Sequence, residues 1–262
     1  MPFASRGGLF AQPSGPPGPV PNSFWDNRGT ASTLTSVTFT NDQTTFTTSA
    51  EFGSHSLDAI TAGSSIYYPN YNSSTTAGGW PTGTGDFCLE GWVWVPATRN
   101  RGIRSSGVAF VFNAGGGLGC RFGDKYRGTF DHLAIWARGQ ADLDVANYIW
   151  PSETWTHWAV QRKGTTITLW ADGNKLPRTD GPSGTAATRS FTDGIGELSF
   201  CHYNNRGSDE NLLCLLDECC ISSTWRYDDT QSTYTIPDAP FEVDQYVNMI
   251  MHFDNTLSTA TS

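Results

Sequence analysis

Apolar and polar positions along this 262-residue chain alternate over short stretches, and nowhere keep the spacing of an amphipathic helix. Residues 35–40 (TSVTFT) and 44–48 (TTFTT) are rich in threonine and aromatics, the composition of strands. Residues 87–95 (FCLEGWVWV) form a nearly continuous apolar run bounded by Gly85-Asp86 and Pro96. Phe87, Leu89, Val93 and Val95 share one face; Cys88, Trp92 and Trp94 share the other, with Glu90 the only charge. Two mainly apolar faces predict a central strand covered on both sides. Residues 107–113, 130–136 and 145–150 read as further strands.

Residues 157–162 (HWAVQR) lead to a turn at Lys163-Gly164, then residues 165–170 (TTITLW) to a turn at Asp172-Gly173. Two apolar runs joined by a glycine turn and followed by Asp-Gly predict a hairpin and its continuation. Residues 196–202 and 212–221 (LLCLLDECCI) complete the set, and Gly115-Gly116-Gly117 reads as a further hairpin turn. Many short strands with turn signals between them predict an all-β sandwich. Residues 246–253 (YVNMIMHF) make one more strand, with Val247, Met249, Met251 and Phe253 on one face and Asn248, Ile250 and His252 on the other. It serves either as the last strand of the same domain or as a strand lent to a neighbour's sheet edge.

The first residues differ from the rest. Residues 1–22 hold six prolines, four glycines and one charge, Arg6, and favour an extended polyproline course. At about 3.1 Å per residue, the stretch 12–22 reaches roughly 30 Å. Phe3, Leu9, Phe10, Pro13, Pro16, Pro17, Pro19 and Pro21 are its candidate contact residues for a partner. The expected division is an extended arm over 1–32, a sandwich domain over 33–230, and a linker with a terminal strand over 231–262.

Charged residues are only 16% of the chain, and the net charge is −9. Residues 207–262 hold one basic side chain, Arg226, and ten acidic ones, so the whole imbalance lies there. The absence of a basic footprint argues against nucleic acid. The acidic part reads as a solvated edge, or as a match to a basic partner surface. Cys88, Cys120, Cys201, Cys214, Cys219 and Cys220 are expected to be reduced and buried, because the chain opens at Met1 without an apolar leader. Adjacent Cys219 and Cys220 would point to opposite faces of a strand and share no ion. No apolar run approaches a membrane span.

An ordered series of motifs runs from residue 52 to 227. It comprises Phe52-Gly53, Ser56-Leu57, Tyr67-Tyr68, Gly85-Asp86-Phe87, Leu89-Glu90-Gly91-Trp92-Val93, Trp155-Thr156-His157-Trp158-Ala159 and Arg162-Lys163-Gly164. Leu169-Trp170 with Asp172-Gly173, Gly194-Ile195-Gly196, Leu216-Asp217-Glu218 and Arg226-Tyr227 follow. In this order the chain resembles the laminin-G-like branch of the concanavalin A-like lectin/glucanase superfamily. The resemblance implies a jelly-roll β-sandwich. The Pro/Gly arm and the carboxyl-terminal PDAPFEVDQYVNMIMHFD make it similar to such domains in structural proteins of tailed bacteriophages. That likeness implies a virion protein made in the host cytoplasm, with capsid protein or other virion subunits, and further copies of itself, as partners.

The superfamily's glucanases place carboxylates as Glu-x-Asp-x-x-Glu or Glu-x-Asp-x-Glu on one strand face, and this chain has no such array. Asp142 with Asp144, and Glu242 with Asp244, read as solvated surface pairs, and His157 and His202 as hydrogen-bonded structural residues. The expectation is therefore no catalysis. Asp217 occupies the acidic position where the resemblance allows calcium, yet no DxDxDG array supports it, and a structural carboxylate is the simpler reading. For sugars, Tyr71, Trp80 and Tyr203 offer stacking faces, and Asn204 and Asn205 hydroxyl ligands. Arg99, Arg101 and Arg104 form a basic loop cluster. Capsid cement or decoration through extended arms is the first expected function, and a carbohydrate-binding adhesin the alternative; a glycoside hydrolase is disfavoured.

Overall fold

The computed structural model describes residues 25–26, 40–42, 45–59, 65–72, 84–97, 108–112, 118–122, 131–137, 142–181, 184–189, 195–200, 214–242, 244 and 246–253. Among these, all regular structure is β. The strands in chain order are β1 (Trp25–Asp26), β2 (Thr40–Asp42), β3 (Thr45–Thr47), β4 (Ser56–Asp58), β5 (Ser65–Asn72), β6 (Phe87–Trp94), β7 (Val108–Phe112), β8 (Leu118–Arg121) and β9 (His132–Ala137). They continue with β10 (Asp142–Asn147), β11 (Trp155–Lys163), β12 (Thr166–Ala171), β13 (Asn174–Lys175), β14 (Arg178–Asp180), β15 (Ile195–Phe200), β16 (Leu215–Ser222) and β17 (Val247–Met251).

One sheet runs β1-β17-β16-β6-β11-β12-β13, with β4 also on β16 and β3 on β4; the other runs β14-β10-β9-β8-β7-β15-β5-β2. All pairings are antiparallel except β1 with β17. The fold is the expected all-β jelly-roll sandwich. Between the sheets lie Phe87, Leu89 and Val93 of β6 with Val95 just after it, Trp158 and Val160 of β11, Leu169 of β12, Leu216 and Ile221 of β16, and Leu133 and Ile135 of β9. Phe122 stands edge-on to Trp150 and Trp158, at 4.6 and 5.1 Å between centroids. Burial of such large side chains is the main source of stability.

The turns are as the sequence predicts. Lys163 pairs with Thr166 across Gly164, and Ala171 with Asn174 across Asp172-Gly173. Asp172 and Gly173 both take positive φ, 48° and 76°, the requirement of a type I′ turn. The strands flanking the Gly115–Gly117 run, β7 and β8, are antiparallel neighbours. The strand expected over 145–150 lies instead at 142–147, with a bulge between Asp142 and Asp144. β5 went unpredicted because it contains Pro69. The register jumps there from Leu198↔Tyr68 to Gly196↔Tyr71, so the proline sits in a bulge and forfeits no regular ladder bond.

The terminal strand takes the first of its two readings and differs from expectation at one residue. β17 pairs with β16 of its own sheet, and Met251 and Phe253 are buried in the inter-sheet core. Val247, Ile250, Met251 and Phe253 are thus buried within this chain. Alternation also breaks: Ile221 pairs with Met249 but Ser222 with Val247, leaving Asn248 as an extra residue. This bulge turns Val247 to the outer side, where it clusters with Ile250, Cys220 and Phe241. Residues 25–26 of the presumed arm join the sheet beside β17.

Candidate functional site

β5 and β15 determine how the sugar candidates are distributed. Asn72 pairs with Ile195, and Ile66 with Phe200, so the chain after Asn72 and the chain after Phe200 leave from opposite ends of the pair. Tyr71 lies at the first end, and the segment containing Trp80 starts there. The segment with Tyr203, Asn204 and Asn205 starts from the other. Trp80, Tyr203, Asn204 and Asn205 themselves lie outside the described residues, as do Arg99, Arg101, Arg104, His202, Cys201, and Phe3 to Pro21 of the arm.

The Tyr71 end is braced from within. The buried guanidinium of Arg162 donates to the Gly85 carbonyl from Nε and Nη2, at 2.8 and 2.6 Å. From Nη1 it reaches the carbonyls of Ala186 (3.2 Å) and Arg189 (2.7 Å). It also lies 5.1 Å from the Phe87 ring centroid. One side chain thus fastens two connections of that rim to β11. Asp144, expected to be solvated, is fully buried: it accepts from Arg178, Thr185 and the Ala186 N–H. Asp244 likewise pairs with Arg226. Both acids brace loops, because each has a guanidinium within reach that sequence distance conceals.

Asp217 is fully buried. Its Oδ2 accepts from the N–H groups of Glu51 and Phe52, at 3.0 and 3.1 Å, and its Oδ1 from that of Glu218, at 2.9 Å. Burial pushes its carboxyl up to about 8, against the pull of these donors. Backbone N–H groups on both carboxyl oxygens tie Asp217 to the 49–55 turn and leave no cation-facing cage, so the residues here do not fit calcium. Among the described residues, no group of three or more His, Cys, Asp or Glu side chains is placed to hold a metal ion.

The densest polar cluster lies on the outer face of the first sheet, and sequence reasoning did not single it out. The register sets Cys220, Glu90, Ala159 and Trp170 in one cross-strand row, Ser222, Cys88, Gln161 and Thr168 in the next, and Trp92 beside His157. Residues 223–246 fold over this face and seal it. Tyr227 donates to Glu90 Oε2 at 2.5 Å. His157 Nδ1 meets the Tyr234 hydroxyl at 2.5 Å, and its Nε2 stands 3.7 Å from Glu90 Oε2, too far for a hydrogen bond. Burial lowers the His157 pKa against the pull of Glu90, and raises those of Tyr227 and Cys88.

Gln161 fastens the cover. Its Oε1 accepts from the N–H groups of Arg226 and Tyr227, both at 3.0 Å, and its Nε2 donates to the Tyr227 carbonyl at 2.6 Å. Arg226 also reaches Ser222 Oγ and pairs with Asp244. Deeper along the sheet, Glu218 accepts from the Phe241 N–H at 2.8 Å and meets His252 Nδ1 at 2.6 Å. The carboxyl-terminal acids are thus only partly a solvated edge: Asp217, Glu218 and Asp244 are structural, while Asp228, Asp238 and Glu242 are exposed. The five described cysteines are all buried, with Cys219 in the inter-sheet core and Cys220 on the outer side.

No protein-family model matches the chain, and no curated protein matches it. Solved structures resemble it in part. A putative carbohydrate binding protein from Bacteroides ovatus has a TM-score of 0.45 at 13% identity, over 84% of this chain and 52% of that one. Domain 4 of AbnA, a GH43 extracellular arabinanase from Geobacillus stearothermophilus, in complex with arabinotriose, has a TM-score of 0.45 at 14% identity, over 71% and 82%. A Trypanosoma rangeli sialidase has a TM-score of 0.44 at 11% identity, over 66% of this chain and 25% of the sialidase. The chain therefore spans about a quarter of the sialidase and half of the Bacteroides protein, and each is a partial likeness of fold.

Proposed function

We propose that this chain is a non-catalytic binding domain with carbohydrate as its ligand. The observation that carries the proposal is the commitment of its buried acids. Glu90, Asp144, Asp217 and Glu218 each accept hydrogen bonds from the protein's own groups inside sealed regions. A glycosidase needs two carboxyls about 5–5.5 Å apart, or wider for inversion, facing an open cleft. These four are braces instead. Recognition falls to side chains at the sandwich ends, where aromatic faces stack on sugar rings and amides fix hydroxyls.

Of the two ends, the one at which Tyr71 lies is the better candidate, because Arg162 holds its rim rigid from beneath, and Trp80 follows Tyr71 along the chain. A glycan array probed with the full chain tests this. Retained neutral oligosaccharides, weakened at least tenfold by Trp80→Ala and unchanged by Tyr203→Ala, are the expected result. A blank array, or hydrolysis of a bound glycan, overturns the proposal. β17 being integral removes one of the two arms on which the expected virion-lattice role rested.

A further inference from the structure

Residues 223–246 leave β16, cross the outer face of the first sheet to its far edge, and return to β17. Ser223 donates its N–H to the Tyr246 carbonyl, and Arg226 pairs with Asp244, so start and end are tied together as a base. Gln161 holds Arg226 and Tyr227 to the sheet next to that base. Beyond it, residues 228–242 are attached mainly by polar contacts at the sheet edge. Lys175 donates its N–H to the Ser232 carbonyl, Tyr234 donates its N–H to the Gly173 carbonyl, and Lys163 pairs with Asp229 at 2.8 Å. Tyr234 and Phe241, neither of them fully buried, are the aromatic side chains this stretch lays on the face.

Beneath it lies a surface that is unusual for a core. Trp92 Nε1, His157 Nε2, Thr168 Oγ1 and Trp170 Nε1 are buried on this one face without hydrogen-bond partners. Buried polar groups are normally paired, and leaving each unpaired costs about 1–3 kcal/mol. In the closed form two hydroxyls do find partners there: Tyr227 on Glu90 and Tyr234 on His157. Two indoles, a carboxylate and an imidazole, partly satisfied by borrowed hydroxyls, form the donor and acceptor set of a polyhydroxy ligand.

We infer that residues 228–242 form a lid that opens about the Arg226–Asp244 base and covers a second site, on the Trp92–His157–Trp170 face, for a neutral oligosaccharide. The inference rests on the carbohydrate reading above but concerns a different surface. Tyr234 is the lid's substitute for a ligand hydroxyl on His157 Nδ1, while Tyr227, held by Gln161, remains as a wall. Glu90 within, and Asp228, Asp238 and Glu242 exposed on the cover, exclude an acidic sugar.

The edge pairing supplies the test. Asn174 lies opposite Thr233, and the bonds Lys175 N–H to Ser232 and Tyr234 N–H to Gly173 flank the pair, which makes it a non-hydrogen-bonded one. Cα atoms in such pairs are about 4.5 Å apart, within disulfide range. The double variant Asn174→Cys/Thr233→Cys should lock the lid when oxidised and free it when reduced, each state controlling for the other's fold. In the wild type, the amides of Lys175 and Tyr234 should exchange with deuterium at least tenfold faster than those of Leu89 and Val160. Titration of laminarihexaose, cellohexaose and mannohexaose by calorimetry, with tryptophan fluorescence alongside, should show at least tenfold weaker binding in the oxidised form and recovery on reduction. Equal binding by both forms, with loss in Trp80→Ala, sinks the lid and leaves the rim site standing. Exchange of the lid amides as slow as the core's also sinks it. Binding of no probe by any form sinks both.

Discussion

Gly91 of β6 stands directly against Cys219 of β16: a Cβ added at position 91 would lie 3.2 Å from Cys219 Sγ and 3.3 Å from its Cα. The contact arises from a bulge. Asp217 pairs with Trp92 and Cys220 with Glu90, so Glu218 and Cys219 together oppose Gly91, and Glu218 takes φ of 48°. The bulge turns Cys219 into the inter-sheet core and Glu218 toward His252.

Gly91→Ala should therefore destabilise the fold by about 1–3 kcal/mol, the usual cost of overpacking. Part of this should return in the double variant with Cys219→Ala, which removes Sγ but leaves the close Cα. Urea unfolding of the three variants measures both effects.

Gln161 replaces a strand partner for the passing backbone of Arg226 and Tyr227. Gln161→Leu keeps the volume but strands two N–H groups and one carbonyl. The expected loss is about 2–4 kcal/mol. Faster amide exchange across 226–234 should accompany it, detectable by hydrogen exchange.

His157 is neutral in the fold, because burial lowers its pKa from the ordinary 6.5. The unfolded chain takes up a proton below 6.5 that the folded chain refuses. Stability should hold above pH 6.5 and fall as the pH drops toward the lowered folded value. His157→Gln should remove that part of the acid dependence, as measured by melting temperature between pH 7 and pH 4.

Asp217 has the opposite sign. Its folded pKa is raised to about 8 from the ordinary 3.8, so its stabilising share is full below 3.8 and is lost as the pH rises through about 8. The melting temperature should therefore fall between about pH 4 and about pH 8 and level off above that, and Asp217→Asn should flatten that slope.

Much of the fold was legible along the chain. The run over 87–95 keeps Phe87, Leu89, Val93 and Val95 inward and Cys88, Glu90 and Trp92 outward, as alternation requires. The Asp172-Gly173 turn was equally plain, since its dihedral demand is local. β5 was missed because Pro69 reads as a breaker until the bulge opposite it is known. Val247 was put on the wrong face for the same reason: one extra residue in the ladder reverses every side chain beyond it. The sealed cluster was invisible because its members come from β6, β11 and the chain past residue 223, with Glu90 and Tyr227 lying 137 positions apart.

By itself, the sequence determined the class of fold, the central strand with two buried faces, the tight turns and the lack of a glucanase carboxylate array, because period, turn chemistry and motif spacing act between near neighbours. Only the tertiary structure decided that the last strand belongs to its own sheet, that the chain leaves β5 after Asn72 and β15 after Phe200 at opposite ends of the pair, and that the segment after β16 covers a polar face. Those outcomes depend on register, and register is set by which strands meet across the sheet, through contacts that no local stretch of the chain contains.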